Sequence, residues 1–292
     1  MSGPGVRKAF SGLWRSSGSF RFGIVALAFA LVMVVLSFFS PYRPMASFVV
    51  TPDLHPSLSH LFGTNSRGQD LFWQMTAALR NSLLFGATTA LLSRVIAVWV
   101  GMYAGYRGGL VDKAIMAVND AFVVLPVLPI LLLLQFLLRE RMSWFHMALM
   151  MALLGWAYDA RLIRSQVMSL KERVFSETAV FCGMPVRRII LREHLPFVMP
   201  IVFATTINNL LWAIGMEVTL SILGLTNINE ASIGVVIFWA NQHQAMISGV
   251  WWWWAAPVVV IVFVFTGLYL LAVSLNEYID PRTRLSVKGG TP

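Results

Sequence analysis

The sequence predicts an all-α protein that crosses a membrane about six times. Hydrophobic residues make up 58% of the 292 and charged residues only 12%, whereas an average soluble domain is roughly one quarter charged. So few charged residues cannot cover the surface of a soluble globular protein. The composition therefore indicates a membrane protein. Long uncharged stretches and an uneven distribution of Lys and Arg then predict the spans and their orientation.

Six apolar stretches are candidate spans. The first is the clearest, because residues 22–39 carry no charge and approach the ~20 residues needed to cross the hydrocarbon core. The fourth is the weakest, because Asp159 and Arg161 follow its short uncharged run. Pro126 and Pro129 are expected to kink the third. The predicted spans are residues 22–40, 81–104, 114–138, 144–162, 195–225 and 249–276.

An even number of spans puts both termini on one side, and the basic residues indicate which side. Sixteen Lys and Arg fall on the side of the termini, seven of them between the fourth and fifth spans, and five fall on the other side. Cytoplasmic loops are the ones enriched in Lys and Arg. We therefore predict a cytoplasmic segment 1–21, an extracytoplasmic loop 41–79, a five-helix core 80–276 with a cytoplasmic loop 166–196, and a cytoplasmic tail 277–292.

The stretch "SETAVFCGMPVRRIILREHLP", residues 176–196, is the most distinctive part of that loop. Helical spacing of apolar residues predicts a helix over 166–182. Gly183 suits a helix C-terminus that needs positive φ, and Pro185 suits the first turn of a second helix. Arg188 and Arg192 are spaced to project together from that second helix. Pro196 is expected to end it or to kink its continuation into the fifth span.

Three interpretations explain a basic helix-turn-helix in this place. DNA recognition uses such motifs, but a segment held between two membrane spans has little freedom to enter a groove. A solvated basic face would explain the arginines but neither the Gly-x-Pro break nor the apolar face. A docking element for a cytoplasmic partner explains all three features, and we favour it.

The residues Glu177-Thr178-Ala179, followed by Gly183 and by Leu195-Pro196, resemble the EAA loop of ABC importer permeases. In that family the loop forms the coupling helices that sit in a cleft of the ATP-hydrolysing subunit. Two departures are Thr178 at the middle position of the motif and Glu193 where the general pattern has Ile.

Two further stretches narrow the resemblance to the dipeptide/oligopeptide permease group, and to its C-type subunit. These are "FGTNSRGQDLFWQMTAALRNSLLFG" at 62–86 and "MEVTLSILGLTN" at 216–227. The three motifs occur in the order and at the membrane positions that the group shows. The chain therefore resembles that group over most of residues 62–281.

The resemblance implies a type I ABC importer permease fold, in the plasma (inner) membrane of a bacterium or archaeon. A homologous permease would be the partner in the bilayer, two ATPase subunits would bind ATP and Mg, and a solute-binding protein would contact residues 42–74 and 226–248. No cofactor is expected in this chain, and no nucleic acid. Glu177 is expected to dock or cap the coupling helix. The residues implied in ATPase coupling are Glu177, Thr178, Ala179, Gly183, Met184, Pro185, Arg187, Arg188, Arg192 and Pro196.

Polar residues inside the apolar spans are candidates for a translocation path, because a buried charge in a membrane is costly. On the fifth span, Thr205, Asn208 and Trp212 form one helical stripe, and Asn209 and Glu217 lie on the neighbouring one. Whether Glu217 faces the pore or the partner permease stays open. Outside this span, Arg94 is expected to pair inside the bundle, Asp120 and Asn119 to be structural, and Gly101 with Gly105 to form a weak packing signal.

The sequence also argues against an enzyme. None of the four lysines follows a glycine, so there is no P-loop motif, and ATP hydrolysis is expected in separate subunits. The five histidines and single cysteine show no metal-ligand spacing. The resembled group carries peptides, oligosaccharides, opines and nickel; nickel is disfavoured by the poor ligand supply, while peptide and oligosaccharide stay open. A membrane scaffold or signalling protein is the alternative from another class.

Overall fold

The computed structural model describes Trp14 and residues 17–138 and 143–279, and this part of the chain is helical without a named β-strand. The predicted all-α polytopic class is confirmed. The predicted segments 1–21 and 277–292 lie largely outside the described residues, as do the arginines at 139 and 141. The helices are α1 (Gly18–Leu36, continued by a 3₁₀ turn at Ser37–Phe39), α2 (Leu71–Arg107), α3 (Gly109–Val124), α4 (Val127–Leu138), α5 (Trp144–Gly155), α6 (Ala157–Lys171), α7 (Val174–Phe181), α8 (Val186–Ile222), α9 (Ile233–Gln242) and α10 (Trp251–Ile279).

Four of these helices in the described chain are long and apolar enough to cross a membrane: α1 with its 3₁₀ turn, α2, α8 and α10. α3 and α4 pass the same test only as a pair, and they meet at a bend of 75°, which is the geometry of a broken span or of a re-entrant loop. The bend falls at Leu125 and the predicted kink residue Pro126, where Leu125 is extended with ψ 128°. Extended backbone is what a following proline imposes, so the helix ends there.

The predicted fourth span, 144–162, is not one helix. Its apolar part forms α5, which at 12 residues is about 18 Å long and shorter than the ~30 Å hydrocarbon core. Trp156 separates α5 from α6, and α6 carries the charges that weakened the prediction, Asp159 and Arg161. α9 is a second short apolar helix, at 10 residues.

Helix α2 begins ten residues earlier than the span predicted from 81. The Asp70 carboxylate caps it, accepting backbone N–H bonds from Phe72 at 3.0 Å and Trp73 at 3.3 Å. This N-cap satisfies amides that the first turn leaves free. With 37 residues, α2 is roughly 55 Å long and projects beyond the membrane core.

The chain divides into two compact units. The first comprises Met1–Gly86, Leu132–Trp144 and Leu211–Ser274. Within it α1 packs closely on α10 through small residues, because a Cβ on Gly23 would lie 2.8 Å from the carbonyl oxygen of Gly267. Residues 41–79, predicted to form the extracytoplasmic loop, are attached to the same unit, since the Trp252 indole donates to the Thr64 carbonyl at 2.9 Å and Arg67 lies over the Trp239 ring at 4.0 Å.

The second unit comprises Ala87–Leu131, Phe145–Leu210 and Leu275–Pro292. Its described core joins α2, α6, α7 and the beginning of α8. Small side chains let the first two approach closely, because a Cβ on Gly101 would lie 2.5 Å from the Ala160 carbonyl oxygen and one on Gly105 2.7 Å from that of Arg164. The predicted Gly101 and Gly105 packing signal is thus a contact with α6. The buried cluster includes Ala97, Met102, Tyr106, Ala160, Ile163, Val167, Ala179, Ile189, Ile190, Val198 and Val202.

Candidate docking site

The helix predicted over 166–182 is two helices, and this prediction was wrong in its extent. α6 ends at Lys171, and α7 begins at Val174 after a turn through Glu172 and Arg173. The apolar residues therefore do not form one face. Val167 is buried, but Val174 and Phe181 on α7 are 77% and 89% exposed. Val174 and Phe181 are thus available to a partner.

Gly183 makes the turn that the sequence predicted. Its φ is +70°, a conformation that residues with a Cβ rarely adopt. The Gly183 N–H bonds the Val180 carbonyl at 2.9 Å and the Met184 N–H bonds the Ala179 carbonyl at 3.1 Å. These two bonds form a Schellman motif, which satisfies the last carbonyls of α7. Pro185 follows at φ −65° in the N-cap position of the next helix, one residue before the first turn in which it was predicted.

Three exposed arginines, Arg187, Arg188 and Arg192, follow the turn on the first residues of α8. The prediction that Arg188 and Arg192 project together assumed α-helical spacing. Residues Ile189–His194 form a π-helical segment instead, which interrupts that spacing. We call residues 174–192 the docking segment.

Pro196 does not end the second helix of the motif, although this was one of its two predicted outcomes. That helix continues into the fifth span, and α8 contains both. The π-helical segment lies directly before Leu195, where α-helical geometry resumes and continues to Ile222. A proline removes an i→i−4 hydrogen bond and its ring crowds the preceding turn, and a π turn relieves both effects. The docking segment is therefore joined to the fifth span by unbroken helix.

The EAA positions differ in what they contact. Ala179 is buried against the second unit's core. Thr178, the departure from the family pattern, is exposed and its hydroxyl donates to the Val174 carbonyl of its own helix at 2.9 Å. The Glu177 side chain is exposed and makes no hydrogen bond or ion pair with the described residues. It caps no helix terminus among the described residues, and its docking role stays a prediction.

A buried hydrogen bond, not predicted from the sequence, holds α7 against α8. Ser176 Oγ donates to the Leu170 carbonyl at 2.7 Å and lies 2.9 Å from His194 Nε2, which therefore carries the proton in this contact. His194 is fully buried, 5.6 Å from the ring of Tyr106. No local sequence pattern predicts this pair, because the two residues are 18 positions apart.

Ion pairs connect α6 to α3. Arg164 donates to both carboxylate oxygens of Asp112, each at 2.5 Å, and these hydrogen bonds raise the pKa of Arg164 above its ordinary value. Arg161 binds Asp120 at 2.5 Å on the exposed side. The Asn119 amide donates to the Ala157 carbonyl at 2.7 Å. Asp120 and Asn119 thus have the structural role predicted for them.

Arg94 has the carboxylate partner that the sequence could not name. Its Nη2 lies 3.0 Å from Asp159 Oδ2, and its Nε donates to Thr206 Oγ1 at 3.0 Å. Both charged side chains are buried, Arg94 being 5% and Asp159 7% exposed. One guanidinium on α2 is therefore bonded to both α6 and α8.

The predicted translocation-path residues separate into the two stripes expected on the fifth span. Asn208 is exposed and Thr205 and Trp212 are half-buried, whereas Asn209 and Glu217 are buried. The exposed stripe remains the candidate path.

Glu217, at 5% exposure, is enclosed by its own chain. It accepts from Ser221 at 2.7 Å and from Ser82 of α2 at 3.2 Å, and Ser82 also accepts the Ile233 N–H at the start of α9. Glu217 thus joins three helices of the first unit, and neither a pore nor a partner is needed to explain its burial.

The described helices define an all-α polytopic membrane protein, and residues 187–192 give it an exposed basic segment between two of its helices. Residues 97–285 match the family described as binding-protein-dependent transport system inner membrane component. The chain therefore belongs to this family, whose members are components of transport systems that depend on a binding protein. It is a multi-pass protein of the inner membrane and a transport component, not a catalytic one.

Individual relatives agree with this assignment. The chain is 31% identical over 265 residues to the dipeptide transport system permease protein DppC of Bacillus subtilis, covering 90% of this chain and 81% of that one. It is 28% identical over 228 residues to the oligopeptide transport system permease protein OppC of the same organism, covering 75% and 74%. OppC of Mycobacterium bovis is 34% identical over 169 residues, covering 58% of each.

Proposed function

We infer that this chain is one of two permease subunits of an ATP-driven importer, and that ATP hydrolysis reaches it through the docking segment. The observation that carries this is the exposed apolar surface of α7, terminated by the Gly183 turn and followed at once by three exposed arginines. An apolar helix presented to water on the basic, cytoplasmic side is stabilised when a partner covers it. Charged groups beside it orient that partner.

The partner we propose is an ATPase subunit. Val174 and Phe181 would enter an apolar cleft on its surface, and Glu177 would meet a donor at the cleft's edge. Arg187, Arg188 and Arg192 would meet acidic side chains or free carbonyls. ATP and Mg would be bound by two such subunits, one for this chain and one for a homologous permease.

Transport would follow from movement of the docking segment. Closure of the ATPase subunits on ATP would displace α7, and the continuous helix from Val186 to Ile222 would carry this displacement into the membrane. Thr205, Asn208 and Trp212 lie on that helix, and their stripe is the proposed lining of the passage. A solute-binding protein would deliver cargo to the outer face at residues 42–74 and 226–248.

Peptides are the cargo we propose. The support is the naming of the DppC and OppC relatives as dipeptide and oligopeptide permeases. The ligand affinity of the cognate binding protein distinguishes a peptide cargo from an oligosaccharide cargo. It is measured by calorimetry with a dipeptide, a pentapeptide and an oligosaccharide. Binding of the oligosaccharide alone would overturn the peptide assignment and leave the importer intact.

Co-purification tests the ATPase partnership. The chain is purified from membranes with its genomic neighbours co-expressed, and retention of the ATPase is measured for the wild type, Gly183→Arg and Gly215→Ala. Gly215 has no atom within 4 Å of a Cβ position, and its φ is not positive, so this control should retain the ATPase. We expect Gly183→Arg to lose it. A membrane scaffold would be indicated if the wild type retained no ATPase.

A further inference from the structure

The docking segment is connected to the rest of the second unit by two helices. α6 leads into it and α8 leads out of it. A displacement of the segment could bend or separate these two helices, or it could move them as one body. Only the second response carries the whole displacement into the membrane, so what holds α6 to α8 decides how efficiently the segment acts.

Arg94 on α2 is bonded to both of them. Its Nη2 is paired with Asp159 on α6 at 3.0 Å, and its Nε donates to Thr206 on α8 at 3.0 Å. The Thr206 hydroxyl donates to the Val202 carbonyl at 2.6 Å, so its oxygen is free to accept from Arg94. Arg94 Nη1 and Nη2 make no hydrogen bond with the described residues, so the link to α6 is the charge pairing with Asp159 and the link to α8 is the Nε hydrogen bond to Thr206.

We call Arg94, Asp159 and Thr206 the node, and its position in the second unit fits a mechanical role. Asp159 lies about 18 Å of helix before the end of α6, and Thr206 about 30 Å after the start of α8. The node is therefore well inside the bundle, away from the docking segment. Between the node and the segment, Gly101 and Gly105 keep α2 in close contact with α6.

Burial makes the arrangement hard to distort. Arg94 and Asp159 are both less than one-tenth exposed, and separating a buried pair leaves uncompensated charge in a medium of low polarity. Sliding α6 against α8 would have to break the bond to Asp159, the bond to Thr206 or both. Exposed pairs such as Arg161 with Asp120 resist far less, because water replaces the lost partner.

We propose that Arg94, Asp159 and Thr206 are positioning residues that make α6 and α8 move as one body when the docking segment is displaced. The proposal rests on the proposed function, because the displacement is attributed to an ATPase. It adds a site within the membrane whose residues contact neither the ATPase nor the cargo.

Double electron–electron resonance, which measures the distance between two spin labels, tests directly whether α6 and α8 move as one body. Spin labels are placed at Met168→Cys on α6 and Phe203→Cys on α8, both exposed positions, in a Cys182→Ser background. The full complex with its ATPase subunits, in lipid nanodiscs, is measured without nucleotide and trapped with ATP and vanadate. We expect the same label-to-label distance in both states for the otherwise unaltered chain.

The test variant combines Arg94→Met with Asp159→Leu. Replacing both members of a buried pair by apolar residues costs far less stability than removing one charge and leaving the other buried, so we expect this double variant to fold. We expect its distance to shift or broaden on trapping. The matched control combines Arg161→Gln with Asp120→Asn, which removes an exposed pair on the same helix, and should behave as the unaltered chain.

The outcomes separate the two hypotheses. A distance that changes in the unaltered chain, or that stays constant in the Arg94→Met, Asp159→Leu variant, overturns the node while leaving the importer standing. An equal change in the control variant also overturns it, since the effect is then not specific to Arg94. If the unaltered chain retains no ATPase, the proposed function fails, and the node fails with it.

Discussion

Nε2 of His194 lies 2.9 Å from Oγ of Ser176, and this contact joins the first turn of α7 to the end of the π-helical segment in α8. His194 is fully buried, and its Nδ1 has no hydrogen-bond partner among the described residues. Helix α7 is therefore attached to α8 by a polar contact inside an apolar core. That attachment can be tested separately from docking itself.

Ser176→Ala should destabilise the protein, because it leaves the buried His194 Nε2–H without an acceptor. The expected cost is about 1–3 kcal/mol, measured as a lower thermal unfolding midpoint in detergent. Ser165→Ala is the control, since that hydroxyl is exposed and bonds only its own helix. Replacing both partners, as Ser176→Val with His194→Ile, should recover most of the loss; no recovery would mean that the hydrogen bond is not what stabilises this contact.

Gly183→Ala should cost about 1–2 kcal/mol, because an L-residue at φ +70° is strained. No atom lies within 4 Å of its Cβ position, so the cost comes from the backbone alone. Gly183→Asn should be milder, since Asn tolerates this conformation better. Unfolding midpoints of the two variants check the order, and equal values would contradict a strained turn.

Phe181→Asp should weaken ATPase binding without affecting stability. The side chain is 89% exposed, so the folded chain loses little packing, whereas an apolar cleft would have to accept a carboxylate. Leu58→Asp is the matched control, being 99% exposed in the extracytoplasmic loop. ATPase retained on the purified complex is the measurement. Equal retention by the two variants would exclude α7 from the docking surface.

Glu217→Leu should destabilise the chain more than Glu217→Gln. A glutamine can still accept from one of Ser82 and Ser221 through its oxygen and donate to the other through its NH2 group, whereas leucine removes the acceptor of both hydroxyls at a buried position. The difference should be about 1–3 kcal/mol, seen as a lower unfolding midpoint in nanodiscs. If Glu217→Gln instead folds normally but abolishes transport, the carboxylate acts in the passage and not as a connection between helices.

Cys182 provides a test of orientation, because it is the only cysteine in the chain and is exposed. A membrane-impermeant maleimide should label it in inside-out vesicles and not in right-side-out cells. In a Cys182→Ser background, Ser57→Cys in the extracytoplasmic loop should give the reverse pattern. Labelling of Cys182 from the outside would invert the topology and place the docking segment on the wrong side for an ATPase.

Local chemistry is what made parts of the fold predictable. Gly183 and Pro185 marked the turn because each restricts or extends φ at its own position. The stripe of Thr205, Asn208 and Trp212 followed from helical spacing alone. By contrast, the break at Trp156 and the turn at Glu172 were missed, because apolar periodicity continues across both and neither contains a proline.

The sequence by itself determined the membrane class, the Gly183 turn and the family, and it predicts the orientation, because these depend on composition and on residues close together in the chain. Only the tertiary structure decided the partners of buried polar groups. Arg94 and Asp159 are 65 positions apart, and Ser82 and Glu217 are 135 apart. Each of these residues carries a charge or a hydrogen-bonding group that needs a partner in an apolar interior. The sequence does not show which residue that partner is. Helix packing brings the partners together, and the energetic cost of leaving any of them unpaired then fixes that packing.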